Sequence, residues 1–139
     1  MPGGILGKAL QDVQRYAQNQ NYDNSEGGGG EQGSDIQFDS KGADFGPWLR
    51  RFRAQVMHNW LIPQAAMVMH GHVAIQMSIL RNGTIVNPHI VQGSGIEAFD
   101  TAALSALKLS NPTMKLPDVY PGEAIDPFTV TFYYNERIR

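Results

Sequence analysis

The chain has 139 residues, 42% hydrophobic and 17% charged, with a formal net charge of −2. That balance excludes a wholly disordered chain and a strongly basic protein built to grip nucleic acid. Without cysteine there is no disulfide framework, thiolate zinc site or cysteine nucleophile, and no run of about 18 apolar residues offers a bilayer span.

The N-terminus, Met1-Pro2-Gly3-Gly4 and then Ile5-Leu6, lacks the basic start and long apolar stretch of a signal peptide. Ile5, Leu6, Leu10, Val13 and Tyr16, with Ala9 and Ala17, repeat at helical spacing and predict a short amphipathic helix within residues 1–17. A helix this short is marginal alone in water. Residues 18–44 read as a flexible, glycine-rich, acidic linker. Nine of the 15 glycines fall in residues 1–43, and residues 1–44 hold three basic and seven acidic groups, net −4. Residues 45–139 hold eight and six, net +2.

From Phe45 the signals are those of a folded domain. Asp44 or Gly46 can cap a helix with Pro47 in its first turn. Phe45, Trp48, Leu49, Phe52, Val56, Met57 and Trp60 then form one stripe, predicting a helix to near Ile62-Pro63. Arg50, Arg51 and Arg53 lie off that stripe and form the one basic cluster, either a solvated face or an accessory contact for an acidic partner.

The period then switches to two. Val73, Ile75, Met77 and Ile79 alternate with His72, Ala74, Gln76 and Ser78, a strand with one apolar face. Asn82-Gly83 is a hairpin signal. A second strand runs from about Ile85 to Gln92, and Pro88 in its middle places it at a sheet edge. Ser94-Gly95-Ile96-Glu97 matches a capping box opening a helix with Phe99, Ala102, Ala103, Ala106 and Leu107 on one side. Asp100 reads as a surface residue of its first turn. That helix stops before Asn111-Pro112. A proline-punctuated loop leads to a last strand in which Phe128, Val130, Phe132 and Tyr134 face one way.

The order helix-strand-strand-helix-strand predicts an α+β domain over residues 45–139. Its three-stranded antiparallel sheet takes the order 2-1-3, with the helices on one face. In this arrangement the last strand lies against the first and leaves its own outer edge unpaired. No proline or lysine blunts Phe128 to Asn135, and the charges of Glu136, Arg137 and Arg139 come only after it. An open edge suits capture of an extended segment, or pairing with a second copy of the chain.

Other motifs have plainer readings. Gly93-Ser94-Gly95-Ile96-Glu97-Ala98 fits a loose dinucleotide-binding pattern, but it follows a hairpin strand and too little chain remains for parallel βαβ units. His70 and His72 have metal-ligand spacing with His58 or His89 as a third group, the basis of a rival reading as a metal-dependent enzyme. Solvent-facing or hydrogen-bonded histidines explain the same residues. No acid pair, serine–histidine arrangement or phosphate loop stands at catalytic spacing. The chain reads as a binding protein, not an enzyme, with no cofactor.

Phe45 to Asn135 resembles the C-terminal domain of TonB-type energy transducers. The resemblance rests on an ordered set: Trp60-Leu61-Ile62-Pro63; Val73-x-Ile75-x-Met77-x-Ile79-x-x-Asn82-Gly83-Thr84-Ile85; Gly93-Ser94-Gly95; Phe99-Asp100-x-Ala102-Ala103-Leu104-x-Ala106; Leu116-Pro117; Tyr120-Pro121; and Phe128-x-Val130-x-Phe132-x-Tyr134. It implies a periplasmic domain of a Gram-negative bacterium, anchored to the inner membrane by an N-terminal helix that engages the ExbB–ExbD motor. It also implies capture of the TonB box of outer-membrane transporters by β-augmentation along Phe128, Thr129, Val130, Thr131, Phe132, Tyr133, Tyr134 and Asn135, followed by pulling on the transporter plug. The chain departs from the family pattern in lacking a membrane anchor and in having a glycine-rich, acidic tether in place of a proline-rich one. A TolA-like envelope-integrity domain is the alternative of similar fold. A self-associating structural module is the alternative that uses the same edge for pairing.

Overall fold

The computed structural model describes residues 32–136. The helix predicted within 1–17, the linker before Gln32, and Arg137 and Arg139 lie outside the described residues. In chain order the elements are β1 (Gln32–Gln37), α1 (Gly46–Asn59), a 3-10 turn (Gln64–Met67), β2 (Gly71–Leu80), β3 (Ile85–Gln92), α2 (Glu97–Leu109) and β4 (Ala124–Tyr134).

Helix α1 begins where the Asp44 carboxylate accepts from the Gly46 N–H at 2.8 Å, with Pro47 in the first turn. Its stripe is buried at Trp48, Phe52 and Val56, while Met57 is exposed. The helix ends at Asn59, short of Ile62, because Trp60 turns to extended backbone. There the Trp60 ring packs edge-on against Phe132 and Tyr134, with centroids 5.0 Å away in both cases.

Strands β2 and β4 form the centre of the sheet, paired antiparallel from Gly71↔Tyr134 to Leu80↔Ala124. Val73, Ile75, Met77 and Ile79 of β2 and Phe128, Val130, Phe132 and Tyr134 of β4 are all buried. Rings from both helices meet that face: Trp48 and Phe52 reach Phe128, and Phe99 stacks on Tyr134 at 3.9 Å. Ala103 and Ala106 are fully buried, and their small side chains let α2 lie close to the sheet.

The β2–β3 hairpin turns at Gly83, whose φ is +95°. Strand β3 is an edge, as Pro88 requires. It is also irregular: Asn87 has φ +54° and the pairing with β2 shifts register twice. The Asn111 side chain closes its start, accepting from the Ile85 N–H at 2.8 Å and donating to the Ile85 carbonyl at 3.1 Å.

Three expectations are corrected. The sheet has four strands in the order β1-β4-β2-β3, not three. The three predicted strands keep their 2-1-3 arrangement, and β1, from the stretch read as linker, adds outside β4. The outer edge of Phe128 to Asn135 is therefore not unpaired. Finally, no capping box forms: α2 starts at Glu97, too late for that carboxylate to reach back. Asp100, one turn in, takes its place by accepting from the Ser94 N–H at 3.0 Å and the Ser94 hydroxyl at 2.7 Å.

Candidate strand-capture edge

The sheet has two sides that a visiting strand can approach. The β3 side is blunted by Pro88, the Asn87 distortion and the Asn111 clasp. The β4 side is regular, and β1 already runs along it, antiparallel, from Gln32↔Tyr134 to Gln37↔Thr129.

The residues predicted to bind divide by face. Phe128, Val130, Phe132 and Tyr134 send their side chains into the core, while Thr129, Thr131 and Tyr133 lie half-buried on the other face. These residues are brought together through their main chain, which lies between β2 and β1. Asn135 sits just past the strand at φ +59°. Its N–H donates to Gln32 Oε1 at 3.0 Å, and its amide nitrogen bonds the carbonyls of Ala66 and, at 2.7 Å, Met69.

The arginines do not act as a cluster. Arg50 and Arg51 are exposed on α1. Arg53 turns to β1 and donates to the Ser34 carbonyl at 3.2 Å and its hydroxyl at 3.3 Å.

Strand β1 is the element that sequence reasoning missed. Ser34 and Ile36 lie opposite Phe132 and Val130 and so face the helices; Gly33, Asp35 and Gln37 take the other face. Of the six residues only Ser34 is buried. The signal was the alternation Ser34-x-Ile36-x-Phe38, obscured by glycines and acids on both sides. At its C-terminal end the strand is moored by Phe38, whose ring lies 4.9 Å from Phe45 and 5.1 Å from Phe128. A tight turn follows, with Lys41 and Gly42 at positive φ and Asp39 accepting from the Lys41 N–H. Beneath the N-terminal half lies a groove of about 200 Å³ lined by Gln32, Gly33, Ser34, Arg53, Ala54 and Met57.

Three of the four histidines are engaged with other groups, and His58 is exposed in the last turn of α1. Glu136 bridges His72 Nδ1 at 2.8 Å and His70 Nδ1 at 3.3 Å, and His89 Nδ1 contacts the Asn87 carbonyl oxygen at 2.8 Å. Partial burial disfavours the Glu136 carboxylate, but the hydrogen bonds and charges of the two histidines outweigh it and lower its pKa from 4.5. Among the described residues, no group of three His, Asp or Glu side chains is placed to hold a metal ion. No described helix is long and apolar enough to cross a membrane.

Comparison with known proteins agrees with this architecture. The model of the family described as TonB C terminal matches residues 45–132. The solution structure of the TonB C-terminal domain of Helicobacter pylori is similar in fold, with a TM-score of 0.53 at 16% identity, covering 72% of this chain and 91% of that one. Among curated proteins, none matches.

Proposed function

Because this chain belongs to the TonB C-terminal family, we propose that it captures the TonB box of an outer-membrane transporter as an added strand on the β4 side of its sheet. Domains of this family are non-enzymatic and serve TonB-type transport. In the proposed role the domain works in the periplasm and passes the pull of a proton-driven ExbB–ExbD motor to the transporter plug, through an N-terminal anchor in the inner membrane.

One observation carries the reading. Strand β1 precedes the family-matched residues 45–132, yet it pairs along β4 in unbroken register. The β4 side therefore accepts an extended segment from outside the family core, which is the geometry β-augmentation needs. On an uncovered edge, four to six backbone hydrogen bonds, at a net of about 1 kcal/mol each, would supply ~4–6 kcal/mol. Ordering the peptide offsets part of that. Side-chain contacts then raise affinity toward the micromolar range, about −8 kcal/mol, a reversible grip suited to repeated cycles.

Titration of the labelled chain with a synthetic TonB-box peptide, followed by NMR, tests the proposal. The expected result is shifts concentrated in the amides of Phe128–Asn135 and the adjoining β1. Shifts confined to β3, or to the exposed Arg50 and Arg51 side of α1, would overturn it.

A further inference from the structure

We infer that residues Gln32–Gln37 are a resident stand-in for the captured segment, which takes their place on β4 and carries an aliphatic side chain where Ser34 now lies. The inference rests on the capture reading above and adds to it where the visitor sits, what leaves and which side chains the visitor brings.

Strand β1 is built to be replaceable. Its sequence, Gln-Gly-Ser-Asp-Ile-Gln, contains one aliphatic residue and an interior glycine, a combination that disfavours strand structure. Four of its six residues are half-buried and Gln37 is exposed, so little apolar surface resists opening. Its side chains are mostly held at the surface rather than in the core, as by the Arg53 bonds to Ser34 and the Gln32 contact with the Asn135 N–H. Phe38, by contrast, is wedged among Phe45 and Phe128. The strand can thus peel from its Gln32 end while Phe38 remains as the hinge.

The fit beneath β1 is incomplete, and that points to the visitor. Ser34 faces the helices but is too small to fill the groove of about 200 Å³ under Gln32, Gly33 and Ser34. Met57 lines this groove and is left 41% exposed. A segment with valine, isoleucine or leucine at the Ser34 position, and another at the Ile36 position opposite Val130, would fill the space. Backbone ladders nearly cancel in such an exchange, since one strand leaves as another arrives. Side chains therefore decide the outcome. The resident strand also sets selectivity, because a visitor that fills the groove no better than Ser34 must compete against a strand tethered to the same domain.

The absence of natural cysteine permits a direct test. Asp35→Cys with Thr131→Cys, placed opposite each other in the register, locks β1 when oxidised and frees it when reduced. Ile36→Asp, which removes the one aliphatic anchor, releases it without a disulfide. The probe is a synthetic TonB-box peptide with valine or isoleucine at alternate positions. The expected result is binding to the reduced protein, affinity at least about tenfold weaker when oxidised, and affinity several-fold tighter for Ile36→Asp than for the unaltered chain. Equal binding to oxidised and reduced forms, with no gain in Ile36→Asp, overturns the exchange while leaving capture intact, the peptide then pairing along the outer edge of β1. Binding to none of these forms overturns the capture reading and the exchange with it.

Discussion

Tyr134 joins three elements through one hydroxyl, which accepts from the Trp60 indole N–H at 2.7 Å and donates to the Phe99 carbonyl at 2.9 Å. Burial pushes its pKa up to about 12; the Trp60 hydrogen bond works against that rise and the Asp100 charge adds to it. The phenol is therefore neutral and available as a donor. Tyr134→Phe keeps the ring stacked on Phe99 but leaves the Trp60 indole unpaired in the core. Urea unfolding should show a loss of about 1–3 kcal/mol; unchanged stability would mean that water reaches the indole. Glu136 works at the surface by charge. Its folded carboxyl ionises below the 4.5 of an ordinary glutamate, so its contribution is fully present above that value and is lost as pH falls through the lower, folded pKa. Glu136→Gln should cost about 0.5–1 kcal/mol near neutrality. The difference should shrink between neutrality and acid pH, as the carboxyl protonates and both side chains become uncharged. Unfolding curves at the two pH values check this, and a constant difference would assign Glu136 a role other than charge.

At the scale of elements, the β2–β3 hairpin depends on Gly83. Its φ of +95° already disfavours a side chain, and an added Cβ would meet the carbonyls of Thr113 and Met114. Those groups belong to the loop that closes over the turn, with the Thr113 N–H and hydroxyl both donating to the Gly83 carbonyl. Gly83→Ala should destabilise the fold by about 1–3 kcal/mol, measured by thermal or urea unfolding. A neutral result would mean that the loop moves away at little cost. This hairpin was legible in Asn82-Gly83 because turn chemistry is local. The same holds for both helices and for β2 and β4, whose apolar periods are long and uninterrupted. The position of β1 was not legible. Its pairing with β4 joins distant parts of the chain, as the bond between Asn135 and Gln32 across 103 positions illustrates, and its composition is that of a linker. The residues of β4 and the face each takes could be read from the strand's own pattern, whereas the occupant of its edge could not. Asp100 escaped for a smaller reason: a two-residue shift in the start of α2 transfers the capping of Ser94 from Glu97 to Asp100.

Across the whole molecule, the two sides of one sheet have been given opposite treatments. Pro88 and the Asn111 clasp close the β3 side with fixed groups, whereas a segment of the chain's own covers the β4 side. Sealing one margin and covering the other with a short, mostly polar strand limits pairing directly along β4. Charge is divided in the same sense: residues 1–44 carry net −4 and residues 45–139 net +2. The acidic part is thus attracted weakly to the domain across which β1 lies, an effect that salt screens.

The turn from Asp39 to Asp44 leaves β1 as the first described element of the chain, ahead of α1 and the core. A load applied before Gln32 would reach the domain at one end of a ladder, beside Tyr134 and Asn135, and would break its rungs in succession. Separating rungs one after another takes far less force than shearing them together. Tension applied there would therefore bare the edge of β4 before it strained the aromatic core.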